Sequence, residues 1–261
     1  MSSDGIYGMT PAGCVERIRR YELADSSTLR ARGFTSPEVE APEKGAIVGE
    51  GILSFTGNLS EQNRDDVMHA FLFATLVANK AFPREEQGKE WYYKFVEAMM
   101  DAGWMFTQKF YNDINVGGNS VRMDQLVLEI LGGVVAGTTL PGSTSALMLK
   151  VAGSAISALK KRETALTLYE RNVLEHGVGG TAAGTCTEIN GEVTLALGTV
   201  RFIRKNTSAQ VLFADWDTRD VKLYRGESVF RKVSSIVEQT RDEILRKLGG
   251  NAKTKIANYE I

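Results

Sequence analysis

The chain has 261 residues, with 31 Lys and Arg against 32 Asp and Glu, 2 His, 2 Cys, 26 Gly and 5 Pro. A hydrophobic content of 43% with 24% charged residues excludes global disorder. A net charge of −1 lacks the basic excess of a general nucleic-acid binder, so no nucleic-acid partner is expected. Two Cys cannot build a disulfide framework or a four-thiolate zinc site, and two His cannot build a His-rich centre, so no metal is expected.

Met1–Arg20 scatters Ile6, Tyr7, Met9 and Val15 among Gly, Ser and charges. It lacks the apolar core of about 7–15 residues that marks a general export signal. The expected protein is made in the cytoplasm with Cys14 and Cys186 as reduced thiols. If it leaves the cell, it does so by a non-classical route.

Residues 1–57 read as an irregular arm, with one short helix in Ala12–Leu23 and a loop at Thr35–Lys44 that carries Pro37 and Pro42. A helical body is predicted over 58–176. Ser60 is placed to N-cap its first helix, in which Val67, Ala70, Phe71, Ala74, Val77 and Ala78 recur at three- and four-residue spacing. Pro83 separates it from a second helix, Arg84–Tyr111, rich in aromatics including Trp91, Tyr92, Phe95, Trp104 and Phe106. These read as core packing. Gly117, Gly118 and Asn119 break the chain before the next helical stretch, near Ser120.

Gly177–Gly184 holds four Gly in eight residues. Gly177, Gly179, Gly180 and Gly184 are the expected hinge, because Gly has the largest backbone freedom. A small antiparallel β-meander follows over Thr185–Tyr224, with Asn190-Gly191 as a hairpin turn. Its later strands are expected at Val211–Phe213 and Val221–Tyr224. A helix over Ser228–Leu248 closes the unit 185–261. The predicted class is α+β: a helical body with a central apolar helical hairpin, a small β-meander and a C-terminal helix.

No metalloprotease, nucleophile-elbow or P-loop motif occurs. Gly177-Val-Gly179-Gly-Thr-Ala182 resembles a dinucleotide loop but follows a helix and precedes a strand, the reverse of the phosphate-binding context. Asp215, Asp217 and Asp220 read as turn formers, and His69 as a helix histidine. Cys186 reads as a buried strand thiol, an acylated thiol or a nucleophile, with His176 the base in range. Whether the chain catalyses a reaction is left open, and no cofactor is expected beyond a covalent fatty acid on Cys186.

Ile130–Leu149 is a run of twenty uncharged residues, and Lys150 is the only charge between Glu129 and Lys160. Twenty residues could span a bilayer core of ~30 Å. Pro141-Gly142 in the middle signals a turn, so the reading is a hairpin over 126–159 with arms of ~18–24 Å. Its membrane-facing candidates are Leu131, Val134, Val135, Leu140, Leu147, Leu149 and Val151. Small residues on both arms would let two helices approach closely. Lys160, Lys161 and Arg162 would suit an anionic surface.

The layout resembles that of α-helical pore-forming toxins, carried by Leu126–Leu159 and the helices around Arg84–Tyr111 and Lys160–Glu175. Its size, the absent export signal and Gly184-Thr-Cys186-Thr are similar to the Evf-type bacterial virulence factors. That family is α/β and membrane-anchored through a fatty-acylated Cys, a role that only Cys186 could take here. These resemblances imply a membrane-interacting virulence- or toxin-type protein that inserts or docks its hairpin and forms homo-oligomers on a lipid membrane. The alternative is a soluble self-assembling or partner-binding protein with the hairpin permanently buried.

Overall fold

The computed structural model describes residues 9–24, 44–114, 120–175, 179–204 and 210–261. Pro37, Pro42, the break at 117–119, His176 and Gly177 lie outside them. The helices are α1 (Pro11–Arg20), α2 (Glu61–Ala81), α3 (Gly88–Asp101), α4 (Met123–Ala136), α5 (Gly142–Leu159), α6 (Glu163–Glu175), α7 (Ser234–Leu248) and α8 (Asn251–Lys255). The strands are β1 (Lys44–Val48), β2 (Gly51–Phe55), β3 (Trp104–Ile114), β4 (Ser120–Arg122), β5 (Gly180–Ile189), β6 (Glu192–Arg204), β7 (Asp215–Asp217), β8 (Val221–Lys232) and β9 (Ile256–Glu260).

Seven strands form one mixed sheet in the order β3-β8-β6-β5-β2-β1-β9, while β4 and β7 pair separately. β2 and β5 run parallel, and every other neighbouring pair is antiparallel. This corrects the expected helical body with a small meander. The class α+β holds, but the sheet is large, mixed and central. It takes strands from the N-terminal arm, the expected helical body and the C-terminal unit alike. The expected likeness to helical pore-forming toxins does not extend to such an architecture.

Period-two alternation along the inner strands supplies two apolar faces. Ala182, Cys186, Leu195 and Leu197 join the core formed with α1, α2, α3 and α7. Ala183, Ala196, Val200 and Phe202 join the core formed with α4, α5 and α6. α2 is buried nearly all round from Asp66 to Asn79, as a helix enclosed by sheet and helices must be. Ser60 caps it, its Oγ accepting from the Asn63 amide at 3.2 Å.

Three boundaries moved for identifiable reasons. The helix expected to reach Tyr111 stops at Asp101, because Gly103 adopts φ +88° and turns the chain into β3. A Cβ at Gly103 would also stand 2.7 Å from Val237 Cγ2, so no side chain fits there. The helix expected from Ser228 starts at Ser234, because residues to Arg231 pair with both β3 and β6 and Lys232 still pairs with β3. Val211–Phe213 is not a strand; the Val211 and Leu212 amides donate to Glu170 at 2.7 and 3.1 Å. The Asn190-Gly191 turn joins β5 to β6 with φ of 51° and 81°, the backbone a two-residue hairpin requires.

Candidate functional site

The uncharged segment forms α4, a turn and α5, laid on the sheet as part of one helical layer. Leu131, Val134, Val135 and Val151 point inward with 0% exposure. Leu140 and Leu149 are half-buried, and Leu147 is 37% exposed. α4 approaches β6 so closely that a Cβ on Gly198 would stand 2.8 Å from the Leu131 backbone nitrogen. Thr185 Oγ1 donates to the Met148 carbonyl at 3.1 Å and ties β5 to α5. Among the described residues no helix is long and apolar enough to cross a membrane.

The small residues divide between the two sides. Ala152 and Ala155 are buried, but Gly132, Gly133 and Gly153 have nothing within 4 Å of where a Cβ would sit. These glycines therefore smooth the outer side of the pair; they do not bring its arms together. Outward from Gly133 the surface continues through Ala136, Gly137, Pro141, Gly142, Ala146 and Leu147 without a charge. The turn is held in shape: Gly137 N–H donates to Gly133 O at 3.1 Å, Thr138 Oγ1 to Val135 O at 2.7 Å, and Arg231 Nη2 to Thr139 Oγ1 at 3.2 Å. Lys150, Lys160 and Lys161 lie exposed farther along α5 and beyond it.

Cys186 lies on β5, facing the α2 side of the sheet and fully buried. Burial pushes its thiol up, which keeps it protonated and a poor nucleophile. Any acyl group on Cys186 would therefore sit across the sheet from the α4–α5 surface. Cys14 on α1 is also buried, with its thiol raised by burial. Gly179 adopts φ +60°, and its carbonyl accepts from the Phe202 amide at 3.0 Å. Gly180 and Gly184 are residues of β5, which is paired on both sides. There glycine supplies room: a Cβ at 180 would meet the Arg201 guanidinium, and one at 184 would meet Leu53 at 2.6 Å.

Sequence reasoning missed a buried polar group on the α2 side of the sheet. Glu50, in the β1–β2 turn, pairs with Arg201 of β6 at 2.9 Å, with both side chains almost wholly enclosed. Asn79 Nδ2 donates to the other Glu50 oxygen at 2.9 Å, and Trp91 Nε1 donates to Asn79 at 2.5 Å. The Arg201 guanidinium carbon lies 3.9 Å from the Trp91 ring centroid. The signal was present in the sequence as a lone Arg between Val200 and Phe202, and a lone Glu between Gly49 and Gly51. The group is closed to solvent and locks the turn to the sheet. Asp217 holds Arg219 at 2.6 Å, and no group of acidic, His or Cys side chains among the described residues could hold a metal ion. A cleft of about 440 Å³ opens beside Asp113, Lys222 and Tyr224, at the end of β3 and β8.

No protein-family model matches the chain, and no curated protein does. Among solved structures it is similar to one described as "Structure of the Evf virulence factor", at 11% identity over 94% of this chain and 89% of that chain, with a TM-score of 0.33. The two are alike only loosely in outline, and no residue role passes from one to the other.

Proposed function

We propose that the protein docks on a lipid surface through the outer side of α4–α5 and the turn between them, while the inner side stays packed on the sheet. One observation carries this reading. The uncharged Ile130–Leu149 segment is split lengthwise, with Leu131, Val134 and Val135 in the core and Gly133, Ala136, Gly137, Pro141 and Leu147 outside. The outer surface has no Trp, Tyr or Arg of the kind that anchors protein–protein contacts. It offers small side chains with Leu140 and Leu147, and the exposed Lys150 at its border suits anionic headgroups, while Arg231 is paired with Glu192 at 3.5 Å. Docking of this kind would serve a virulence- or toxin-type protein at a target membrane without pore formation. Leu140 and Leu147 contribute at most about 1.5–3 kcal/mol each, so one copy binds weakly and several act together.

Flotation with phosphatidylserine-containing and neutral vesicles tests this. The wild type should float with the anionic vesicles. The double variant Leu140→Asp/Leu147→Asp should stay behind while keeping the folded circular dichroism spectrum of the wild type at the temperature of the assay. Flotation of the variant, or exclusion of the wild type from both kinds of vesicle, would overturn the reading. Exclusion would favour a protein partner for this surface.

A further inference from the structure

β3 is the outermost strand at one end of the sheet, and among the described residues no strand pairs with its far side. Its eleven residues make a long exposed edge, which single-copy proteins normally interrupt. The one interruption is a bulge between Phe106 and Gln108. Beyond it, Gln108–Ile114 runs in unbroken register along β8, from Val229 to Leu223. This straight stretch is centred on Tyr111.

The bulge also resets the alternation of side chains. Lys109, Tyr111 and Asp113 share the side covered by α3. The Lys109 Nζ lies 5.4 Å from the Tyr93 ring centroid and 4.5 Å from that of Phe106, and the Tyr111 ring lies 5.1 Å from that of Tyr92. Lys109 and Asp113 are both exposed. On the other side of the strand Phe110 is 43% exposed, and Tyr93 on α3 is 41% exposed beside Lys109.

An antiparallel copy of the same strand, placed about a two-fold axis through Tyr111, sets Gln108 against Ile114 and Lys109 against Asp113, each twice. Directly opposed residues of antiparallel strands project to the same side, so each Lys meets an Asp. We propose that two copies of this chain pair through β3 in this register, joining their sheets edge to edge with Tyr111 facing Tyr111. The pairing covers Phe110 and Tyr93 and satisfies the outward backbone groups of the edge. It stands independently of the lipid-docking reading.

Sedimentation velocity on the full chain tests the pairing and its register together. The wild type should be a dimer at about 100 μM. Lys109→Glu sets acid against acid, and Asp113→Lys sets base against base. Each variant should dissociate at least about tenfold more readily. In an equimolar mixture of the two variants every facing pair is again one acid and one base, so the dimer should return as a mixed species. Both positions are exposed, and circular dichroism checks that the fold is kept. A monomeric wild type, single variants that dimerise like the wild type, or a mixture that stays monomeric would each overturn the proposal. A monomeric wild type would leave the edge to an extended segment of another protein.

Discussion

Val135→Asp and Leu147→Asp place the same charge on opposite sides of the α4–α5 pair. Val135 has 0% exposure and lies in the core against the sheet. Losing its burial costs about 1.5–3 kcal/mol, and an unpaired buried carboxylate adds about 3–5 kcal/mol. The sum approaches the whole stability of a typical domain, about 5–15 kcal/mol. For a chain of this size it lowers the unfolding temperature by about 10–30 °C or prevents folding. Leu147 is 37% exposed, and its replacement should cost about 1 kcal/mol or less, a shift within about 4 °C. Thermal and urea unfolding followed by circular dichroism reads both. If Val135→Asp unfolded at the wild-type temperature, the inner side of α4 would not be core, and release of the hairpin into a membrane would regain its footing.

The buried pair makes a second prediction. Arg201→Leu strands the Glu50 carboxylate and should cost about 3–5 kcal/mol, and Glu50→Leu in the same chain should recover part of that in urea titrations. Strict additivity would show that the two are not coupled. Asp66 is enclosed, with Arg241 and Lys232 each at 2.7 Å. Burial alone would raise its carboxyl, but the hydrogen bonds from Arg241 and Lys232 outweigh it and hold the carboxyl below its ordinary value. That contribution is present above the unfolded value of about 3.9 and is lost as pH falls through it towards the folded one. Asp66→Asn should therefore be weaker at pH 7 and flatter below about pH 4; parallel acid limbs for the two proteins would contradict the assignment. Both thiols should resist a disulfide reagent in the native state and react in urea, so rapid native labelling of Cys186 would mean that the core beside α2 opens.

Signals that depend on near neighbours in the chain were readable. Ser60 announces α2, and Asn190-Gly191 announces the β5–β6 turn. Elements made by distant pairing were not. β1 and β2 are short Gly-bearing runs whose strand character comes from β5 and β9. In β3, Met105 and Phe106 continue the helical spacing of Phe95 and Met99, and only Ala102-Gly103 marks the change. Gly180 and Gly184 suggest freedom in sequence, whereas in space they make way for Arg201 and Leu53. The candidate surface was half legible. The absence of charge from Ile130 to Leu149 singles out the segment, but helical spacing cannot say which residues turn to the sheet when Gly and Ala occupy both sides. The β3 edge was hidden entirely, because an edge exists only once the strand order is known.

Hydrogen–deuterium exchange on vesicle-bound protein tests most directly whether the hairpin docks without leaving the sheet. Docking predicts that amides of α4, α5, β5 and β6 keep their solution protection, with added protection confined to residues 132–147 around the turn. Loss of protection along β5 and β6 on binding, with new protection over the whole of 126–159, would show that the hairpin peels away and enters the bilayer, and would contradict the account.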